Sequence, residues 1–135
     1  MSKKIEEIEG IGPAFKQKLN DAGIKTVDAL LEKGCSKIGR KSICESTGID
    51  DKRILRWVNM ADLFRINGVG EEYADLLEAA GVDTVKELRN RIPSNLHAKM
   101  IEVNESKKLV RSVPSLSSVE KWINHAKNLE PKVTF

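Results

Sequence analysis

Aromatic side chains are scarce in this sequence: Phe, Trp and Tyr make up 4% of its 135 residues. The core must therefore be built from Ile, Leu, Val and Ala. Cysteine is nearly absent; Cys35 and Cys44 are the two present, and both read as free thiols of a cytoplasmic protein. With only His97 and His125 as nitrogen partners, their spacing fits no zinc-finger pattern, so no metal is expected. No apolar run approaches the roughly 20 residues of a membrane span. The opening "MSKKIEEIEG" lacks the apolar centre of a signal peptide. A cytoplasmic chain without a membrane partner is the expectation. Charge of one sign is not in large excess either: 23 Lys and Arg face 20 Asp and Glu, a net of +3. That mild balance alone says little about nucleic acid. Also missing are a nucleophile–base pair, a phosphate-binding lysine loop and a carboxylate cluster beside metal ligands, which points away from an enzyme and from any cofactor. Alternation of period two is absent, so no strand of useful length is expected.

What the sequence does contain is a repeat. "IEGIGPAFKQKLNDAGIKTV" at 8–27 lies over "INGVGEEYADLLEAAGVDTV" at 66–85, at an offset of 58 residues. Gly10 and Gly68, Gly12 and Gly70, Phe15 and Tyr73, and Gly23 and Gly81 pair in this register. Further on, "RWVNMA" at 56–61 matches "KWINHA" at 121–126 at an offset of 65, which predicts a seven-residue insertion within 105–118. The copies are placed at 1–63 and 64–135, each a whole small domain rather than a solenoid unit.

Each copy reads as short helices. Phe15, Leu19 and Ala22 share one face of a helix over 13–22, with Pro13 in its first turn and Gly23 ending it. Thr26 and Thr84 are predicted N-caps, and Thr84 with Glu87, like Ser117 with Glu120, spells a capping box. Helices are expected over 27–34, 85–92, 38–46, 51–65, 94–112 and 117–129, with Asp50 capping the one that starts at 51. Asp51 is then the neighbour of a cap and not half of a metal pair. The tail "EPKVTF" reads as loose.

Helix, "GIG" or "GVG", helix, then "AGI" or "AGV" and a capping Thr resembles the helix-hairpin-helix fold of DNA repair and recombination proteins. "GIGPAFKQKLNDAGIKTVDALL…STGIDDKRILRW" is similar to the paired-hairpin domains of recombinase amino-terminal regions and Holliday-junction branch-migration proteins. The tandem arrangement closely resembles a family known only as a domain of unknown function. The resemblance covers nearly the whole chain. It implies an all-α protein of two tandem helix-hairpin-helix (SAM-like) domains related by internal duplication.

The chemistry of the hairpin can also be read from its residues. Glycines in a tight turn permit positive φ and let a phosphate approach the backbone. A helix that begins at once presents unpaired N–H groups and the positive end of its dipole. In the first copy, Gly10 and Gly12 form the turn, Gly12 and Ala14 supply donors, and Lys18 lies one turn on. Such contacts would hold a sugar–phosphate backbone without reading bases. The other reading is a tight connection that only lets helices pack. Lys16 stands where the second copy has Ala74, with its stem along the surface. In the second copy Glu71 and Glu72 occupy the field a phosphate would use, which suits a structural or protein-binding role.

Charge is banded along the chain. Residues 33–56 carry seven Lys and Arg against three acids, 67–88 one against six, and 89–121 seven against three. A basic band beside a Gly-x-Gly hairpin is the expected footprint of a nucleic-acid backbone, and it adds Arg40, Lys41, Lys52 and Arg53 to the candidates. Solvated helix faces carry such charges too, and acidic and basic bands could also pair between molecules. Trp57 and Trp122, at matched positions, read as core residues more than as base-stacking groups. The leading expectation is non-enzymatic, sequence-independent binding of DNA, duplex or branched. The alternative is a protein-interaction adaptor using Glu71, Glu72, Asp75 and Glu78.

Overall fold

Thr26 shows how local chemistry sets the elements. Its Oγ1 accepts the Ala29 N–H at 3.1 Å, so an extended residue becomes the first turn of a helix. In a computed structural model, which describes residues 3–135, the chain is all-α. A short 3-10 turn (Ile5–Glu7) precedes α1 (Pro13–Asp21), α2 (Val27–Gly34), α3 (Lys37–Thr47) and α4 (Asp51–Leu63). Then come α5 (Glu71–Ala79), α6 (Val85–Leu88), α7 (Pro93–Lys107) and α8 (Leu116–Lys127). Among the described residues there is no strand, only an isolated bridge between Lys4 and Thr26. Among the described residues no helix is long and apolar enough to cross a membrane.

The chain divides into two compact units. One holds Met1–Asp62 with Lys132–Phe135, the other Leu63–Pro131. α4 carries the chain to the boundary between them. Each unit has an aliphatic interior with one tryptophan: Ile5, Ile8, Leu19, Leu30, Ile54 and Trp57 in the first, and Ile66, Leu76, Leu77, Met100, Ile123 and Trp122 in the second. Trp57 is 2% exposed and Trp122 5%, so both rings are core.

In the first unit, Gly10 adopts φ +95°, and a Cβ there would lie 3.3 Å from the Trp57 indole Nε1. Phe15 meets the same indole edge-on at 5.2 Å. In the second unit Gly68 adopts φ +91°, with Trp122 Nε1 3.1 Å from its missing Cβ and Tyr73 at 5.3 Å. α1 ends with Gly23 left-handed, the Gly23 N–H reaching Asn20 O (3.0 Å) and the Ile24 N–H reaching Leu19 O (2.8 Å). α5 ends the same way: Gly81 N–H to Glu78 O (2.9 Å) and Val82 N–H to Leu77 O (2.8 Å).

Several expectations are corrected. The helix expected over 85–92 stops at Leu88, because Ile92 must be extended ahead of Pro93. The Arg91 guanidinium instead reaches back to Glu87 Oε1 (2.7 Å) and Gly81 O (2.8 Å). α7 ends at Lys107 rather than 112, with Lys108 left-handed at φ +50°. The last helix is capped by Ser115, which accepts the Ser118 N–H at 3.1 Å, and not by Ser117. Ser36, accepting from Gly39 N–H at 3.0 Å, starts α3.

The tail is not loose. Val133 is buried, the Thr134 N–H donates to Cys35 O (2.8 Å), and residues 132–135 belong to the first unit. Arg40 is the reason. Its guanidinium donates to Gly34 O (2.9 Å), Cys35 O (3.1 Å) and Thr134 O (2.6 Å), and stands 5.8 Å from the Phe135 ring centroid. At 7% exposure, burial lowers the Arg40 pKa, and the three carbonyls replace lost hydration.

Chemical denaturation tests these contacts. Gly10→Ala should cost about 1–3 kcal/mol, since it combines left-handed strain with crowding against Trp57. Gly12→Ser, at φ −83° with open space around it, should be neutral or stabilising by a few tenths of a kcal/mol through capping. Arg40→Ala should cost about 1–3 kcal/mol by stranding carbonyls. In a double-mutant cycle it should be strongly non-additive with removal of residues 132–135.

Candidate nucleic-acid interface

The turn before α1 is held from below. Ile8 N–H bonds to Ile5 O and Ile11 N–H to Ile8 O, both at 3.2 Å, and all three isoleucines are buried. This lifts Gly12 to the surface as the N-cap of α1, with φ −83° and ψ −176°. Of the two turn glycines, Gly10 is the left-handed one and Gly12 is extended. Nothing lies within 4 Å of where a Gly12 Cβ would be. No side chain caps α1, and Pro13 has no N–H to give. The first-turn N–H groups, Ala14 among them, thus face an open surface, with the dipole of a nine-residue helix behind them.

Cations gather on one side through an aromatic ring. Lys18 Nζ stands 6.0 Å and Arg53 Cζ 5.3 Å from the centroid of Phe15. Arg53 is also held by Asp50, whose Oδ1 accepts at 2.5 Å while its Oδ2 caps α4 through the Arg53 N–H at 3.2 Å. Lys52 is exposed beside it, and Arg56 makes a long 3.5 Å contact to Glu9 O. Lys16 is drawn away from this group by Glu6 at 2.7 Å.

The match to known proteins covers most of this ground. The family described as Domain of unknown function (DUF4332) matches residues 9–129. The chain belongs to that family. No solved structure matches it.

In this family member the predicted site residues fall into three places. Gly10, Gly12, Ala14, Lys18 and Arg53 come together at the first turn. Lys52 lies on the same helix as Arg53. Arg40 and Lys41 lie apart, on α3, where they line a cavity with Phe135; Arg40 is committed to carbonyls. The apolar neighbour three residues on, buried Ile43, was the signal that Arg40 faces inward.

The turn before α5 has a similar geometry with opposite charge. Gly70 N-caps α5 at φ −102° with nothing within 4 Å of its missing Cβ, and no side chain caps the helix. Glu71 and Glu72 are exposed in the first turn, Asp75 and Glu78 half-buried. Glu71, Asp75 and Glu78 each take part in an interaction of their own.

Both ion pairs by the turn before α1 have a pH signature. A hydrogen bond from Lys16 holds the Glu6 carboxyl below its ordinary 4.5. A hydrogen bond from Arg53 holds Asp50 below 3.8. Depressed carboxyls stabilise the fold above their ordinary values, and that contribution is lost as pH falls through the depressed ones. Urea unfolding between about pH 6 and pH 3 should therefore show a steeper acid loss in wild type than in Glu6→Gln/Asp50→Asn. Equal slopes would mean that neither pair holds in solution.

Proposed function

We propose that the chain is a pair of tandem helix-hairpin-helix units related by duplication, and that the first binds the sugar–phosphate backbone of DNA without reading sequence and without performing a reaction. The observation that carries this reading is the open, uncapped start of α1 at Gly12, with Lys18 and Arg53 gathered on Phe15 beside it. Backbone N–H groups and a helix dipole favour an anion there, and two flexible cations can meet flanking phosphates. The duplication reading is supported by the paired details: left-handed Gly10 and Gly68 over Trp57 and Trp122, and the same two-bond ending of α1 and α5. The second unit, with Glu71 and Glu72 at the matching place, contributes no phosphate contact.

A capped variant separates binding from folding. In Gly12→Ser the hydroxyl takes a first-turn N–H and fills the approach, so affinity for duplex and branched DNA should fall while stability holds or rises. Lys18→Glu should weaken all sequences alike and lower the salt slope by about one. Glu71→Lys with Glu72→Lys should strengthen binding. A folded Gly12→Ser protein with unchanged affinity would reduce the hairpin to a turn. The exposed Glu71 and Glu72 favour a second reading, an adaptor for a basic protein surface, and absence of DNA binding by wild type at about 50 mM salt would select it.

A further inference from the structure

A cavity of about 530 Å³ lies within the first unit, walled by the Leu55 side chain of α4, the Cys44 thiol and the Phe135 ring. That size falls in the range of roughly 300–1,000 Å³ typical of small-molecule sites. Lys37 and Lys41, one helical turn apart on α3, stand at its lining with Arg40 between them. Opposite them there is a single acid, Asp51. Both lysines are exposed, and neither has an ion-pair partner among the described residues. Arg40 adds charge, while three of its five N–H groups are held by Gly34, Cys35 and Thr134.

We propose that this cavity binds a small amphipathic anion, an aryl or alkyl body carrying one carboxylate or phosphate head. The body lies against Leu55, Cys44 and Phe135, and the head meets Lys37 and Lys41. With three cations and one acid in its lining, the cavity suits an anion better than a metal cation. Burial, with Asp51, Asp50 and Glu45 close by, pushes the Cys44 thiol up from its ordinary value, so the wall it provides is neutral at physiological pH. The site does not depend on the DNA reading, since neither Gly12 nor Lys18 lines it.

The probe is anilinonaphthalene sulfonate, an apolar fluorescent body with one anionic head, used on the intact chain. It should bind saturably at one site. Lys37→Glu/Lys41→Glu, two surface changes that leave the core intact, should raise its Kd roughly tenfold or more. Lys86→Glu, an equally exposed reversal in the second unit, should change it less than roughly twofold. Neutral phenylnaphthylamine should lose little between wild type and the double variant, and inorganic phosphate alone should compete weakly, because it lacks the body. In a Cys35→Ser chain the dye should slow alkylation of Cys44 by iodoacetamide. Absence of saturable binding, a Kd indifferent to the double reversal, or Cys44 alkylation at the same rate with and without dye would each overturn the proposal.

Discussion

A glycine turn resting on an indole is the contact from which the first unit is organised. Gly10 can hold φ +95° and lie against Trp57 because it has no Cβ; any other residue would be strained and crowded at once. The turn thereby passes close over the core, and α1 starts at Gly12 with its donors turned outward. The same indole takes the edge of Phe15, a contact that adds about 0.5–1.5 kcal/mol beyond area burial. Phe15 in turn is the ring beside which Lys18 and Arg53 gather. Core packing and the proposed anion site are consequences of one contact, so damage to the first removes the second.

The second unit separates geometry from charge. Gly68, Trp122 and Tyr73 build the same contact, and Gly70 is as open as Gly12. Glu71 and Glu72 then sit where acidic side chains best suit the helix dipole. They stabilise the helix start and occupy the field an anion would need. On the proposed reading, a backbone shape shared by both units offers an anion site, and the side chains of the first turn decide whether it is used.

Helices with period and caps written in them were legible: α1 and α2, and the caps Thr26, Thr84 and Asp50, depend on residues within four positions of one another. The core role of Trp57 and Trp122 followed from their matched positions. What was not legible depends on partners far along the chain. Arg40 looked like surface charge because its third acceptor, Thr134 O, is 94 residues away. The tail looked loose because its anchor is that same arginine. Gly-x-Gly identified a turn, but which glycine is left-handed is set by Trp57, distant in sequence, and the pairing of Lys16 with Glu6 lies across the turn from α1. The cavity combines α3, α4 and Phe135 and has no local signature.

The most direct measurement is an amide-resolved NMR titration of the chain with a short duplex at about 50 mM salt, where backbone contacts are strongest. If the open start of α1 holds a phosphate, the amides of Gly12 and Ala14 shift first and most, together with the side chains of Lys18 and Arg53, while those of Gly70, Glu71 and Glu72 stay in place. Shifts confined to other surfaces, or equal shifts at the two glycine turns, would contradict the account.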